Sequence, residues 1–164
     1  MPGEFDPSNT SLPQQPLHPS MLPKSSQLTT CHLVTNPYMF QLSGIGFLGT
    51  SGQAINDLRL YSSQTDTLEL MESTLRWGHL APTAPDTLNC YPFCDSDPFI
   101  ISLTPHVYFT GNQPTFETRL LQDGSKKVRL ISLPSFVETG IVVLVNLKNL
   151  DVHPIQFDTE HLLL

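Results

Sequence analysis

The side chains best suited to chemistry in this sequence are scattered rather than grouped. Cys90 and Cys94 have a spacing that can supply half of a zinc site. A closed site needs a further pair of ligands. Cys31 is remote in sequence, and His79 or His106 would have to complete the set, so ordinary thiols in a loop and core are the simpler reading. The six histidines do not cluster, and no His-x-His or His-Glu-x-x-His pattern occurs. Nucleophile-elbow, P-loop and dinucleotide fingerprints are also missing. Tyr38, Phe40, Tyr91, Phe93, Tyr108 and Phe109 could stack bases, but their strand and loop placement favours core packing. Two short turns remain, Gly3-Glu4-Phe5-Asp6 and Gly111-Asn112-Gln113-Pro114. On residue type alone, no catalytic residue, metal ligand or cofactor site is assigned.

Bulk composition narrows the function classes. The chain has 164 residues, enough for one domain with a core. Charged residues are only 14%, about half the usual quarter, so part of the surface is expected to be covered by partners. The net charge is −7, and eight basic residues against fifteen acidic ones do not suit tight binding of a polyanion. Lys126, Lys127 and Arg129 form the only basic cluster and read as a solvated strand face. Three cysteines do not make a disulfide framework. No apolar run approaches the ~20 residues of a membrane helix. A reducing compartment without membrane contact is the expectation.

The elements that would position these residues are mostly strands. Residues 1–30 are spaced by prolines and read as a loop. Cys31 to Asn36 reads as a short strand ending at Asn36-Pro37. Met39 to Leu42 and Gly46 to Thr50 read as a hairpin turning at Ser43-Gly44. One helix is well signalled. Asp66 can cap it, Glu69 follows at capping-box spacing, and Leu68, Met71 and Leu75 share a face. Gly78 stops it, and Met71 and Trp77 are expected in the core. After a proline-rich loop at 79–98, strands are expected at 106–110, 115–122, 127–133, 140–147 and 152–157. The run Ile141 to Val145 suits a strand buried on both faces. The fold class is α/β, rich in β.

The two turns, set about a hundred residues apart, resemble signature loops of calcineurin-like metallophosphoesterases, which carry Gly-Asn-His-Asp and Gly-His-x-His at strand ends. The stretches PGEFDPSNTSLPQQPLHPSML, VTNPYMF, FLGTSGQAINDL, APTAPDTLNCYPF, DPFI and PHVYFTGNQPTF narrow this further. From about Pro2 to about Phe157 the chain resembles the small, B-type subunits of eukaryotic DNA polymerase delta. The closing His161-Leu162-Leu163-Leu164 carries no such likeness.

The resemblance implies a partial calcineurin-like phosphoesterase β-sandwich with flanking helices. Residues 1–164 would be its carboxy-terminal part, with residues 1–30 as a proline-rich loop segment. The amino-terminal half and an oligonucleotide-binding-type domain would lie outside this chain, leaving open sheet edges and marginal stability. It implies a non-catalytic scaffold of the polymerase delta complex in DNA replication, in the nucleus. Such a scaffold bridges the carboxy-terminal domain of the catalytic subunit and an accessory subunit. DNA is reached only through the complex, and no cofactor is implied. The proline-rich loops 7–24 and 79–98 are the expected contact surfaces.

In active relatives the Asn of Gly-Asn-His-Asp ligates metal, the His assists catalysis and the Asp orients it. Here Glu4 stands for the Asn, Phe5 for the His, and Asp6 keeps the carboxylate. In the later loop Asn112 and Pro114 stand for the histidines. Phe5 and Pro114 have no ligand atom, so a two-metal site would lose its set. Both are expected to pack where metal would sit. The alternative is a divergent metal-dependent phosphodiesterase or exonuclease, for which Glu4, Asp6, His79, His106 or Asn112 would have to converge.

Overall fold

The structure, a computed structural model, describes residues 1–158. The closing His161-Leu162-Leu163-Leu164 lies outside the described residues.

Strand β1 (Tyr38–Leu42) turns back into β2 (Ile45–Thr50) with Leu42 opposite Ile45. Ser43 and Gly44 both take positive φ, 50° and 83°, as a tight hairpin turn requires. Helices α1 (Gln53–Tyr61) and α2 (Thr67–Trp77) then cross over to β3 (Val107–Gln113), which lies parallel to β2. The chain continues through β4 (Glu117–Asp123) and β5 (Lys126–Pro134), with β5 parallel to β3. The resulting five-stranded sheet has the order β1-β2-β3-β5-β4. A short helix α3 (Phe136–Thr139) leads to a separate two-stranded sheet of β6 (Ile141–Val145) and β7 (Val152–Gln156).

Alternation along the central strands sends residues to two cores. Leu48, Tyr108, Val128 and Leu130 face the helices, meeting Ala54, Ile55 and Leu58 of α1 and Leu68, Leu70 and Met71 of α2. Phe47, Val107 and Ile131 face the other way, against Val143, Val145, Leu150 and Val152. The molecule is thus layered α/β, as the sequence implies: helices, a five-stranded sheet, then a smaller sheet. Parallel strands need cover on both faces, and this arrangement supplies it. None of the helices among the described residues is long and apolar enough to cross a membrane.

The structure corrects several expectations. Residues 31–35 form no strand; Asn36 alone makes an isolated bridge, exchanging both backbone bonds with Gln14, and Pro37 beyond it has no N–H to extend a ladder. Helix α1 is an element the sequence does not announce. Its N-cap is Gly52, with φ 108° and no side-chain bond, so it lacks the usual start signal. Trp77 is 58% exposed rather than in the core, since it is the last residue of α2, beyond the turns that carry the buried Leu68, Leu70 and Met71. Strand β6 is not buried on both faces: among the described residues it pairs only with β7, and Leu144 is exposed. Tyr91 and Phe93 are exposed loop residues, whereas Tyr108 is fully buried. Lys126 and Lys127 are exposed, but Arg129 is folded inward, its Nε donating to Leu150 O at 2.7 Å.

Candidate functional site

In open α/β sheets the carboxyl ends of parallel strands are where ligands gather. Here the segment leaving β2 runs so close to the end of β3 that a Cβ on Gly52 would lie 2.2 Å from Gly111 O. Only glycine fits, both for space and for its left-handed backbone. Beside this crossing sits a buried polar cluster built from neutral side chains. Asn36 Nδ2 donates to Gln14 Oε1 at 2.8 Å and to Gln53 Oε1 at 3.0 Å, and it also contacts Ser51 Oγ. Asn36 Oδ1 accepts from Ser51 N–H at 3.0 Å, and Gln53 Nε2 donates to Gln14 Oε1 at 3.0 Å. Gln14 and Asn36 are each 1% exposed. A reciprocal backbone pair, Gln14 N–H to Asn36 O at 2.7 Å and Asn36 N–H to Gln14 O at 3.1 Å, closes the unit.

The cluster reaches both turns singled out by the sequence. Gln14 Nε2 donates to Gly3 O at 3.1 Å, and Gly3 N–H donates to Asp6 Oδ2 at 2.7 Å. An added Cβ on Gly3 would stand 3.6 Å from Asn112 Nδ2, so residues 3–6 and 111–114 adjoin in space. Asn112, at φ 51°, donates its amide to Ser51 O at 3.0 Å. The neighbouring Gln113 turns inward, its Oε1 accepting from Arg59 at 2.8 Å and its Nε2 donating to Asn56 Oδ1 at 3.1 Å.

Phe5 and Pro114 do not pack into this place. Phe5 is 95% exposed, and Pro114 is exposed. Asp6 closes a turn onto Gly3, which projects Glu4 and Phe5 outward at its corners. The interior is taken instead by amides, and amides and hydroxyls without imidazoles are a poor donor set for a hydrolytic metal pair. The residues present do not fit such a pair.

The other candidate ligands do not converge here. His106 precedes β3, and its Nδ1 accepts from Gly46 N–H at 3.0 Å; Asn112 lies near the far end of the same strand. Six residue steps along the strand separate them, about 20 Å. His79 is engaged at both nitrogens, Nδ1 with Ala81 N–H at 3.2 Å and Nε2 with Asp97 Oδ2 at 2.8 Å. His79, Cys90 and Cys94 line one depression, and Cys31 is not on it. Among the described residues no three His, Cys, Asp or Glu come together as a metal-binding group.

Sequence reasoning misses Gln14, Ser51 and Gln53, and it names Asn36 and Gln113 only as turn residues without a polar role. Their signal is weak: polar residues in a proline-rich loop, at a turn and at strand ends.

The chain is similar to a set of known proteins over nearly all of its length. The family model for the B-subunit of DNA polymerase alpha/epsilon matches residues 1–118. The DNA polymerase delta small subunit of Arabidopsis thaliana is 53% identical over 161 residues, covering 98% of this chain and 37% of the relative. The DNA polymerase delta subunit 2 of Drosophila melanogaster is 48% identical over 162 residues, covering 98% and 37%. The DNA polymerase delta small subunit of Saccharomyces cerevisiae is 40% identical, covering 96% and 39%. The chain spans a little over a third of the length of these relatives.

Proposed function

The chain belongs to the DNA polymerase alpha/epsilon B-subunit family, and from that premise we propose that it serves as a non-catalytic structural component of a replicative DNA polymerase of the delta type. In this reading it is the carboxy-terminal part of a phosphoesterase-like domain whose hydrolytic site has been replaced. It bridges the carboxy-terminal domain of the catalytic subunit and an accessory subunit, works in the nucleus, and meets DNA only through the complex.

One observation carries the non-catalytic part of the proposal. The Gly3–Asp6 turn and Asn112 are both tied to a network of Gln14, Asn36, Ser51 and Gln53, whose neutral polar groups bond one another. A hydrolytic centre needs charged or imidazole donors free to meet metal and substrate. Glu4, Phe5, Asp6, Asn112 and Pro114 are then relic positions, with structure rather than chemistry as their role. The names of the relatives and the charge-poor composition support the scaffold role.

Affinity capture tests the proposal. The chain is mixed with an immobilised carboxy-terminal domain of a delta catalytic subunit, and a parallel sample is assayed for phosphodiesterase activity with manganese. Retention without hydrolysis is expected. Hydrolysis that disappears in Asp6→Asn would overturn the non-catalytic reading, and absence of retention would overturn the bridging one.

A further inference from the structure

The loop between α2 and β3 leaves a depression of about 510 Å³ that plays no part in the site above. Its walls are aromatic. Tyr91 and Phe93 meet edge to face at 5.1 Å, yet they are 61% and 50% exposed. Proline residues 85, 92 and 98 and the buried Phe99 complete the apolar lining. Its carboxylates are Asp95 and Asp97, of which Asp97 is paired with His79 on the same wall, and no lysine or arginine is among the described residues that line it.

The depression is built rather than collapsed. Tyr91 N–H donates to Leu12 O at 2.8 Å, and Leu80 N–H donates to Phe99 O at 2.9 Å, so both ends of the segment are tied to the core. Asp97 is fixed by Phe99 N–H at 2.8 Å and by His79 at 2.8 Å. Burial pushes its carboxyl up, but these two bonds and the attraction of His79 outweigh that and hold it below the ordinary carboxylate range. Prolines stiffen the rest, so little order remains to be imposed on binding.

We propose that this groove docks an extended, proline-rich segment of a partner polypeptide bearing arginine or lysine. Open aromatic rings flanked by prolines suit the ridged surface of a polyproline II strand, which enters already ordered. The exposed Asp95 carboxylate selects a basic residue beside the prolines, and the paired Asp97 adds to the repulsion of phosphate. That disfavours nucleic acid as the occupant, although an aromatic pair can stack bases.

The test is anisotropy titration of a fluorescein-labelled peptide of Pro-Pro-Arg repeats with the whole chain, alongside a Pro-Pro-Glu peptide and a single-stranded oligonucleotide. Saturable, salt-sensitive binding of the Arg peptide alone is expected. The double substitution Tyr91→Ser with Phe93→Ser weakens it about tenfold or more. The exposed Asp95→Asn weakens it about threefold and flattens the salt dependence. Far-ultraviolet dichroism and emission from Trp77, on α2 and outside the groove, check that each variant is folded. Absence of saturation, equal binding of the Glu peptide, or wild-type affinity in both variants would overturn the proposal. So would oligonucleotide binding that is lost with the aromatic pair.

Discussion

Tyr108 shows how a single side chain reports on the larger core. Its ring lies fully buried between sheet and helices, and its hydroxyl stands 3.3 Å from Thr74 Oγ1. Thr74 in turn donates to Met71 O, so the tyrosine hydroxyl is the natural donor to Thr74. Burial pushes the phenol up to about 12, and the bond to Thr74 only partly opposes it. The unfolded chain loses this proton near pH 10, while the folded chain keeps it. Stability from this group is therefore complete below pH 10 and falls as pH rises from 10 towards 12. The loss should reach the order of 2–3 kcal/mol at the top of that window. Urea melts across it should show the slope in the native chain and a smaller one in Tyr108→Phe. Equal slopes would mean that the ring is not sealed from water. At this scale the sequence is only partly legible. It locates the two turns, but their neighbours Gln14, Asn36 and Gln53 give no periodic signal, because their partners are remote in the chain.

Among the elements, α2 is legible because its instructions are local. Asp66 Oδ1 accepts from Glu69 N–H at 2.8 Å, and Gly78 at φ 68° returns its N–H to Leu75 and Thr74. Asp66→Ala should cost about 1 kcal/mol, visible as a lower denaturation midpoint with an unchanged m-value. No shift in midpoint would mean that tertiary packing alone holds the first turn. Helix α1 is not legible, since its start depends on Gly52 lying against Gly111, a contact no local pattern reveals. The hairpin β1–β2 is legible through Ser43-Gly44 and alternation. Strand β6 misleads because its β-branched run suits a central strand, whereas among the described residues it pairs with β7 alone.

The whole molecule has unequal layers. Five strands carry helices on one face and only two strands on the other. Phe40 stacks on Phe47 at 4.9 Å, yet Phe40, Met39 and Leu42 remain partly open on the edge strand β1. Such an edge leaves backbone groups open to pairing with another strand. The layered α/β class follows from alternation and element order, while the crossing of the β2 and β3 ends depends on long-range packing that no short stretch encodes.

The clamp between Gln14 and Asn36 has a mechanical consequence. Leu12, 4% exposed, is bonded to the backbone on both sides, its N–H to Asn89 O at 2.9 Å and its carbonyl to Tyr91 N–H at 2.8 Å. The front of the chain is therefore riveted to the body well before the exposed turns around Lys24. Brief trypsin treatment that nicks after Lys24 should leave both pieces co-eluting on a sizing column, parting only in denaturant. If the small piece washes away in native buffer, the rivet does not hold. A chain so fastened can be cut in its proline-rich stretch without coming apart.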